Sequence, residues 1–246
     1  MCSSDLTNAI VNNMEMSDLM QGISEHNLIT GPSHKVRSQE LMQDEQRMTQ
    51  GQTIKTDLQI VGNKIYTDAS WKTKKNPGAE GTISTGLGVF CHLQNHNGEE
   101  KILIQASTLK KANSPLIAEA IGLYLAALIA AKLGLQSTTF FIDNLSLAKA
   151  AAAEKISDKQ VPWELREQIA NYQKASRDLD RRIFHISRDL NGIAHDCAKQ
   201  AIRQDKSLPI FSCSNSAHSR IGNCPIVSTL SQTQFQGIVL HAVNCL

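Results

Sequence analysis

Three acidic residues lie in surroundings that do not suit an acid. Asp68 sits within or at the end of a β-rich run, beside Ile65, Tyr66 and Ala69. Glu119 lies in the first turns of the most apolar helical stretch of the chain, Leu116 to Leu135. Asp143 closes the apolar run Phe140-Phe141-Ile142. A carboxylate in such a place must be hydrogen-bonded, paired or bound to a cation. Each has an ordinary reading by itself. Asp68 could close a strand, Glu119 could favour a helix N-terminus, and Asp143 could cap the next helix. Together they place carboxylates from two strands and a helix at one sheet, and sites in open α/β sheets collect at strand ends. Converging carboxylates repel one another unless a cation neutralises them, and hard oxygen ligands suit Mg2+ or Mn2+.

The elements that must position these acids read in the order βββαβααβα. Strands are expected over 64–71, 86–93, 101–108, 137–143 and 181–187. Ser114 and Pro115 open a helix that runs to about Leu133 and closes at Gly134. Shorter helices follow Asn144 and Pro162, and a closing helix spans 191–204. Short turns join the first three strands, which favours an antiparallel meander. Helices lead to the last two, which favours parallel pairing. The expectation is an α/β domain with a five-stranded mixed sheet flanked by helices.

The 246 residues carry 41% hydrophobic and only 4% aromatic residues, so the core must be aliphatic. A net charge of +2 excludes a strongly basic, histone-like binder. Residues 1–60 are acidic on balance and rich in Met, Gln, Asn and Ser, and are expected to be a flexible lead with one short helix over 38–47. Residues 61–206 hold the domain, with bases exceeding acids, and 207–246 are expected to be a poorly structured tail. The N-terminus lacks a secretory pattern, so an intracellular protein with reduced thiols is expected. Cys213, His218 and Cys224 fit no zinc spacing. Glu119 and Lys132 argue against reading the apolar helix as a membrane span. A monomer is the default.

The runs TDASW (67–71), GLGVF (86–90), SPLIAEAIGLYLAA (114–127), FFIDN (140–144) and HISRDLNGIAHDCAKQA (185–201) resemble type-1 ribonuclease H. They are most similar to its retroelement-derived, reverse-transcriptase-like branch. The resemblance covers roughly residues 62–206. It implies a ribonuclease H-like fold with strand order 3-2-1-4-5. It also implies hydrolysis of the RNA strand of an RNA–DNA hybrid by two metal ions, with Asp68, Glu119 and Asp143 as metal-binding catalytic acids.

The fourth position departs from the family pattern. Asn191-Gly192-Ile193-Ala194-His195-Asp196 puts His195 where the family has an acid, and Asp196 one residue late. On a helix whose apolar face is made by Ile193, Ala194, Cys197, Ala198, Ala201 and Ile202, His195 falls about 110° from the centre and Asp196 about 150°. His195 is therefore the better placed to reach a site, as a ligand without negative charge. A weaker second metal position is expected. The alternative function is a nucleic-acid-binding module of retroelement origin that has lost efficient cleavage.

Contacts to nucleic acid are expected from Trp71, Lys72, Lys74 and Lys75 after the first strand, with Asn144 either touching a phosphate or capping a helix. Lys110, Lys111, Arg181, Arg182 and Arg188 are further phosphate candidates. His185 reads as structural. Gly86 and Gly88 suggest close approach of a nucleic-acid strand, or plain β packing.

Overall fold

The computed structural model describes residues 49–57, 60–74, 82–94, 101–110, 112–159, 161–204, 210–214, 224–231 and 239–243. The helix expected over 38–47 lies outside them. Strands β1 (Asn63–Lys74), β2 (Thr82–Gln94) and β3 (Lys101–Lys110) form the antiparallel meander. Helix α1 (Pro115–Lys132) leads to β4 (Ser137–Ile142), which pairs parallel with β1. Helices α2 (Leu145–Ala152) and α3 (Arg166–Ala175) lead to β5 (Asp180–His185), parallel with β4. Helix α4 (Gly192–Gln204) follows.

Local chemistry accounts for the ends of α1. The Ser114 hydroxyl accepts from the Ile117 N–H at 3.2 Å, and Pro115 occupies the first turn, where its missing N–H costs nothing. Gly134, at φ +64°, supplies the left-handed residue just beyond the helix. The helix is long and apolar enough to cross a membrane by composition. Here its small Ala118, Ala120, Gly122, Ala126 and Ala127 let it lie close on the sheet, where they are buried. Its packing partners Ile65, Leu87, Val89, Phe140, Ile142 and Ile183 form the main core, which is aliphatic as composition demands.

Gly86 and Gly88 face α4. A Cβ on Gly86 would stand 2.0 Å from the Ala198 carbonyl oxygen. One on Gly88 would stand 2.0 Å from the Ala194 carbonyl oxygen and 2.5 Å from the Ala198 nitrogen. The close approach suggested for a nucleic-acid strand is in fact made by the protein's own helix. The absence of two side chains lets α4 backbone lie on β2 backbone.

The expected order 3-2-1-4-5 is present, but among the described residues the sheet has seven strands, in the order β5-β4-β1-β2-β3-β7-β6. The segment expected to be a poorly structured tail supplies β6 (Ile210–Cys213), helix α5 (Pro225–Ser231) and β7 (Val239–Val243). Strand β7 runs antiparallel along β3, from Leu103↔Val243 to Ser107↔Val239, and β6 lies parallel outside it. Cys224, Val227 and Leu230 are buried in the main core. An edge strand offers unpaired N–H and C=O groups, and β7 satisfies those of β3.

The boundary at residue 61 also moves. The Gly51 N–H donates to the Ile183 carbonyl at 2.8 Å, the Ile54 N–H to the His185 carbonyl at 2.9 Å, and the His185 N–H to the Gln52 carbonyl at 2.9 Å. Residues 51–54 thus strap the free edge of β5. Ile54 and Ile60 are buried against Tyr66, Phe141, Phe184 and Ile186 on the sheet face opposite α1. Asp57 fixes the strap: its carboxylate accepts from the Tyr66 hydroxyl, and its carbonyl accepts from Lys64 Nζ at 2.7 Å. Ile60, 2% exposed, should cost about 2–4 kcal/mol on replacement by Ala, read from denaturant unfolding. A flexible lead would show no change.

Candidate metal centre

Asp68 stands on β1 opposite Gly88 of β2 and is buried. The parallel register sets Thr67 of β1 beside Ile142, the last residue of β4, so the next residues along each chain, Asp68 within β1 and Asp143 just past β4, emerge side by side where that pairing stops. Glu119 comes from the first turns of α1, which packs on β1 closely enough that a Cβ on Gly122 would lie 3.6 Å from the Asp68 carbonyl oxygen. One carboxylate oxygen from each of Asp68, Glu119 and Asp143 lies within 4.8 Å of the others. The structure brings the three acids together as the sequence spacing suggested.

Burial pushes the Glu119 carboxyl up to about 9, reinforced by the charges of Asp68 and then Asp143, with Arg188 opposing. Asp143 is also raised, first by burial and then by Asp68, while Arg188 and the Asn191 amide pull it back. Both shifts come first from burial and then from the mutual repulsion of the carboxylates, which Arg188 offsets only in part. Glu119 Oε2 is shut away from solvent and has no hydrogen-bond partner. A divalent cation fits this set: three hard oxygen donors, mutual repulsion to relieve, and a buried acceptor to satisfy.

A pH dependence follows. Glu119 holds its proton more tightly folded than unfolded, so its contribution to the metal-free fold is lost as pH rises from about 4.5 through about 9. A cation competes with that proton. Mn2+ should therefore raise the melting temperature more at the alkaline end of this window than at the acidic end. An equal rise at both ends would argue that the cation does not bind at Glu119.

His195 and Asp196 separate as helix geometry required. Asp196 is exposed. His195 is half-buried, with Nδ1 2.5 Å from Asp68 Oδ2. A carboxylate only accepts, so Nδ1 carries the proton and donates it to Asp68. Arg188 Nη2 lies 3.4 Å from His195 Nδ1 and 3.5 Å from Nε2, nearly equidistant, which puts the guanidinium against the ring rather than on one nitrogen.

Sequence reasoning did not single out Asn191. It is buried, and its Nδ2 donates to the Thr67 carbonyl at 2.8 Å, one residue before Asp68. With its amide also beside Asp143, it ties the start of α4 to both acid-bearing strands. Its presence in the closing motif four residues before His195 was the available signal. Replacing Asn191 by Ala should cost about 1–3 kcal/mol in denaturant unfolding, because the Thr67 carbonyl loses its partner. Removal of the Asn191 amide should also raise the Asp143 carboxyl further.

The remaining candidates divide. Trp71 is half-buried and its Nε1 donates to the Ala112 carbonyl at 3.4 Å, so it ties the end of β1 to the approach of α1. Lys72 is exposed. The side chain of Lys74, and Lys75 and Lys111 altogether, lie outside the described residues, as does the side chain of Lys110. Asn144 caps α2, its Oδ1 accepting from the Leu147 N–H at 3.1 Å. Arg181 donates to the Ser176 carbonyl at 3.1 Å and Arg182 to the Val61 carbonyl at 3.2 Å, at the start of β5, away from the acids. His185 Nδ1 lies 2.9 Å from the Thr53 hydroxyl, within the strap.

Residues 67–201 match the family described as "Reverse transcriptase-like", more than half of the chain. The chain belongs to that family. No curated protein matches. Solved structures similar to it include the N-terminal RNase H domain of a Mycobacterium tuberculosis protein, at 19% identity over 57% of this chain and 94% of that one, with a TM-score of 0.43. Another is RNase H1 of the halophilic archaeon Halobacterium salinarum, at 18% identity over 57% and 97%, TM-score 0.43. A third is the RNase H domain of prototype foamy virus, at 18% over 58% and 94%, TM-score 0.47.

Proposed function

We propose that this chain is a divalent-cation-dependent nuclease that hydrolyses the RNA strand of RNA–DNA hybrids. The observation that carries the reading is the convergence of Asp68, Glu119 and Asp143 within 4.8 Å, where the parallel pairing of β1 and β4 stops and α1 crosses it. Family membership supports it. Mg2+ or Mn2+ held by these acids would supply Lewis acidity to a scissile phosphate and lower the pKa of an attacking water. The chain's own residues set the geometry. The His195 N–H holds Asp68 in one orientation, Asn191 fixes the backbone that carries it, and α1 fixes Glu119. Lys72, exposed beyond the acids on β1, and Trp71 beside it are the proposed contacts to phosphate and sugar, joined by Lys74 and Lys75. Asn144 serves this site by holding the start of α2.

The second reading is a nucleic-acid-binding module of retroelement origin with weak or lost cleavage. It is favoured by one observation, the imidazole in place of a fourth acid. A single assay separates the two. Labelled RNA–DNA hybrid, RNA duplex and DNA duplex are each incubated with the chain in Mg2+ and in Mn2+. Cleavage restricted to the RNA strand of the hybrid is expected. Binding of the hybrid without cleavage would select the second reading, and absence of both would defeat both.

A further inference from the structure

We infer that this centre holds a single divalent cation, and that Arg188, set against His195, supplies the positive charge that a second ion would otherwise bring. The inference rests on the proposed function and specifies its site. Paired catalytic ions stand about 3.5–4 Å apart, and the second needs acidic ligands of its own. In this chain the three clustered carboxylates suffice for one ion. On the His195 side, Asp68 Oδ2 already accepts the Nδ1 proton at 2.5 Å. A cation brought there meets the Nδ1 proton and a guanidinium, and the ring's one acceptor atom, Nε2, stands 3.5 Å from that guanidinium; a fourth carboxylate is replaced by a neutral ligand atom already beside a positive charge. The guanidinium lies 3.4 Å from the ring, and its charge is felt at both Glu119 and Asp143. It repels a second divalent ion at short range.

Arg188 is also available to a ligand. It is exposed, and among the described residues it forms no ion pair within 4.0 Å. A planar guanidinium offers a fork of N–H donors that suits phosphate oxygens. A substrate phosphate reaching the cation would therefore meet Arg188 from the side of α4. This makes Arg188 a phosphate-positioning residue, and His195 the group that keeps it and Asp68 in place. Neither role requires an imidazolium.

The test counts Mn2+ ions directly. The full chain is titrated with Mn2+ by calorimetry and followed by electron paramagnetic resonance. Both are done on the chain alone and with a slowly cleaved phosphorothioate RNA–DNA hybrid. The wild type should take up one ion in both states, with no dipolar coupling between manganese centres. His195→Asp should take up a second ion, coupled to the first, when the hybrid is bound. Arg188→Gln removes the repelling charge but adds no acidic ligand, so uptake by the free chain should stay at one ion while hybrid binding weakens by about tenfold, the loss of one charge-assisted phosphate contact. Two coupled ions in the wild type would overturn the inference and leave the proposed nuclease standing. Absence of Mn2+ uptake would overturn the proposed function itself. An unchanged hybrid affinity in Arg188→Gln would remove Arg188 from the phosphate site.

Discussion

Replacing Gly88 by Ala should destabilise the fold by about 3 kcal/mol or more, the upper end of the overpacking range, and reduce nuclease activity with it. The added Cβ meets the Ala194 carbonyl oxygen at 2.0 Å and the Ala198 nitrogen at 2.5 Å. Both are backbone atoms of α4, so no side chain can swing aside. The helix must lift from β2 or the strand must bend. Either movement carries His195 away from Asp68, because β2 residue 88 is directly opposite Asp68 in the register. Stability and chemistry therefore fall together. Gly192, the first residue of α4, is the control: a Cβ there meets nothing within 4 Å. Gly192→Ala should stabilise by about 0.5 kcal/mol through helix propensity. Denaturant unfolding of the two variants beside the wild type measures the contrast, and a Gly88→Ala protein as stable as wild type would contradict this packing.

Glu119→Gln should lower cation-dependent cleavage by at least about 100-fold while raising the melting temperature of the metal-free chain. Outer-shell partners of a metal already contribute about 10–100-fold, and Glu119 is proposed as a direct ligand. The opposite sign in stability comes from the same charges. Glu119 is raised to about 9 by burial and by Asp68 and Asp143, so folding it in its charged form is unfavourable at neutral pH. A neutral amide of the same shape removes that cost, and its NH2 can donate to a neighbouring carboxylate. A residue with only a packing role would lose stability on substitution. Melting temperatures measured without metal, together with cleavage rates in Mn2+, separate these outcomes. A fall in both would argue that Glu119 is a structural acid.

The three acids were legible because each interrupts an apolar run where solvent could not explain it. The central order of strands was legible because short turns and intervening helices restrict how consecutive strands pair. His195 was distinguishable from Asp196 because a helix presents successive residues about 100° apart. What was hidden has common physical roots. The strap at residues 51–54 binds β5 through backbone N–H and C=O groups, which any sequence supplies, so Gly51-Gln52-Thr53 announces nothing. Strands β6 and β7 are short, and the pairing of β7 with β3 joins residues more than a hundred positions apart. Gly86 and Gly88 signalled a close approach but not the identity of the approaching group, which required knowing where α4 returns to the sheet. Arg188 was legible as a phosphate candidate but not as a neighbour of His195, and Asn191 acquires meaning only once the 3-10 turn Arg188–Asn191 lies beside the acids.

If clustered carboxylates on this sheet hold the cation for hydrolysis of a hybrid's RNA strand, their charge is indispensable. Cleavage of a labelled RNA–DNA hybrid in Mg2+ and Mn2+ by the wild type and by Asp68→Asn measures this. Asn can still accept the His195 N–H, so the variant keeps that contact and loses the charge. RNA-strand cleavage by the wild type and its loss in the variant are expected. Equal cleavage by both proteins, or none by either in both metals, would contradict a cation held by these carboxylates for that hydrolysis.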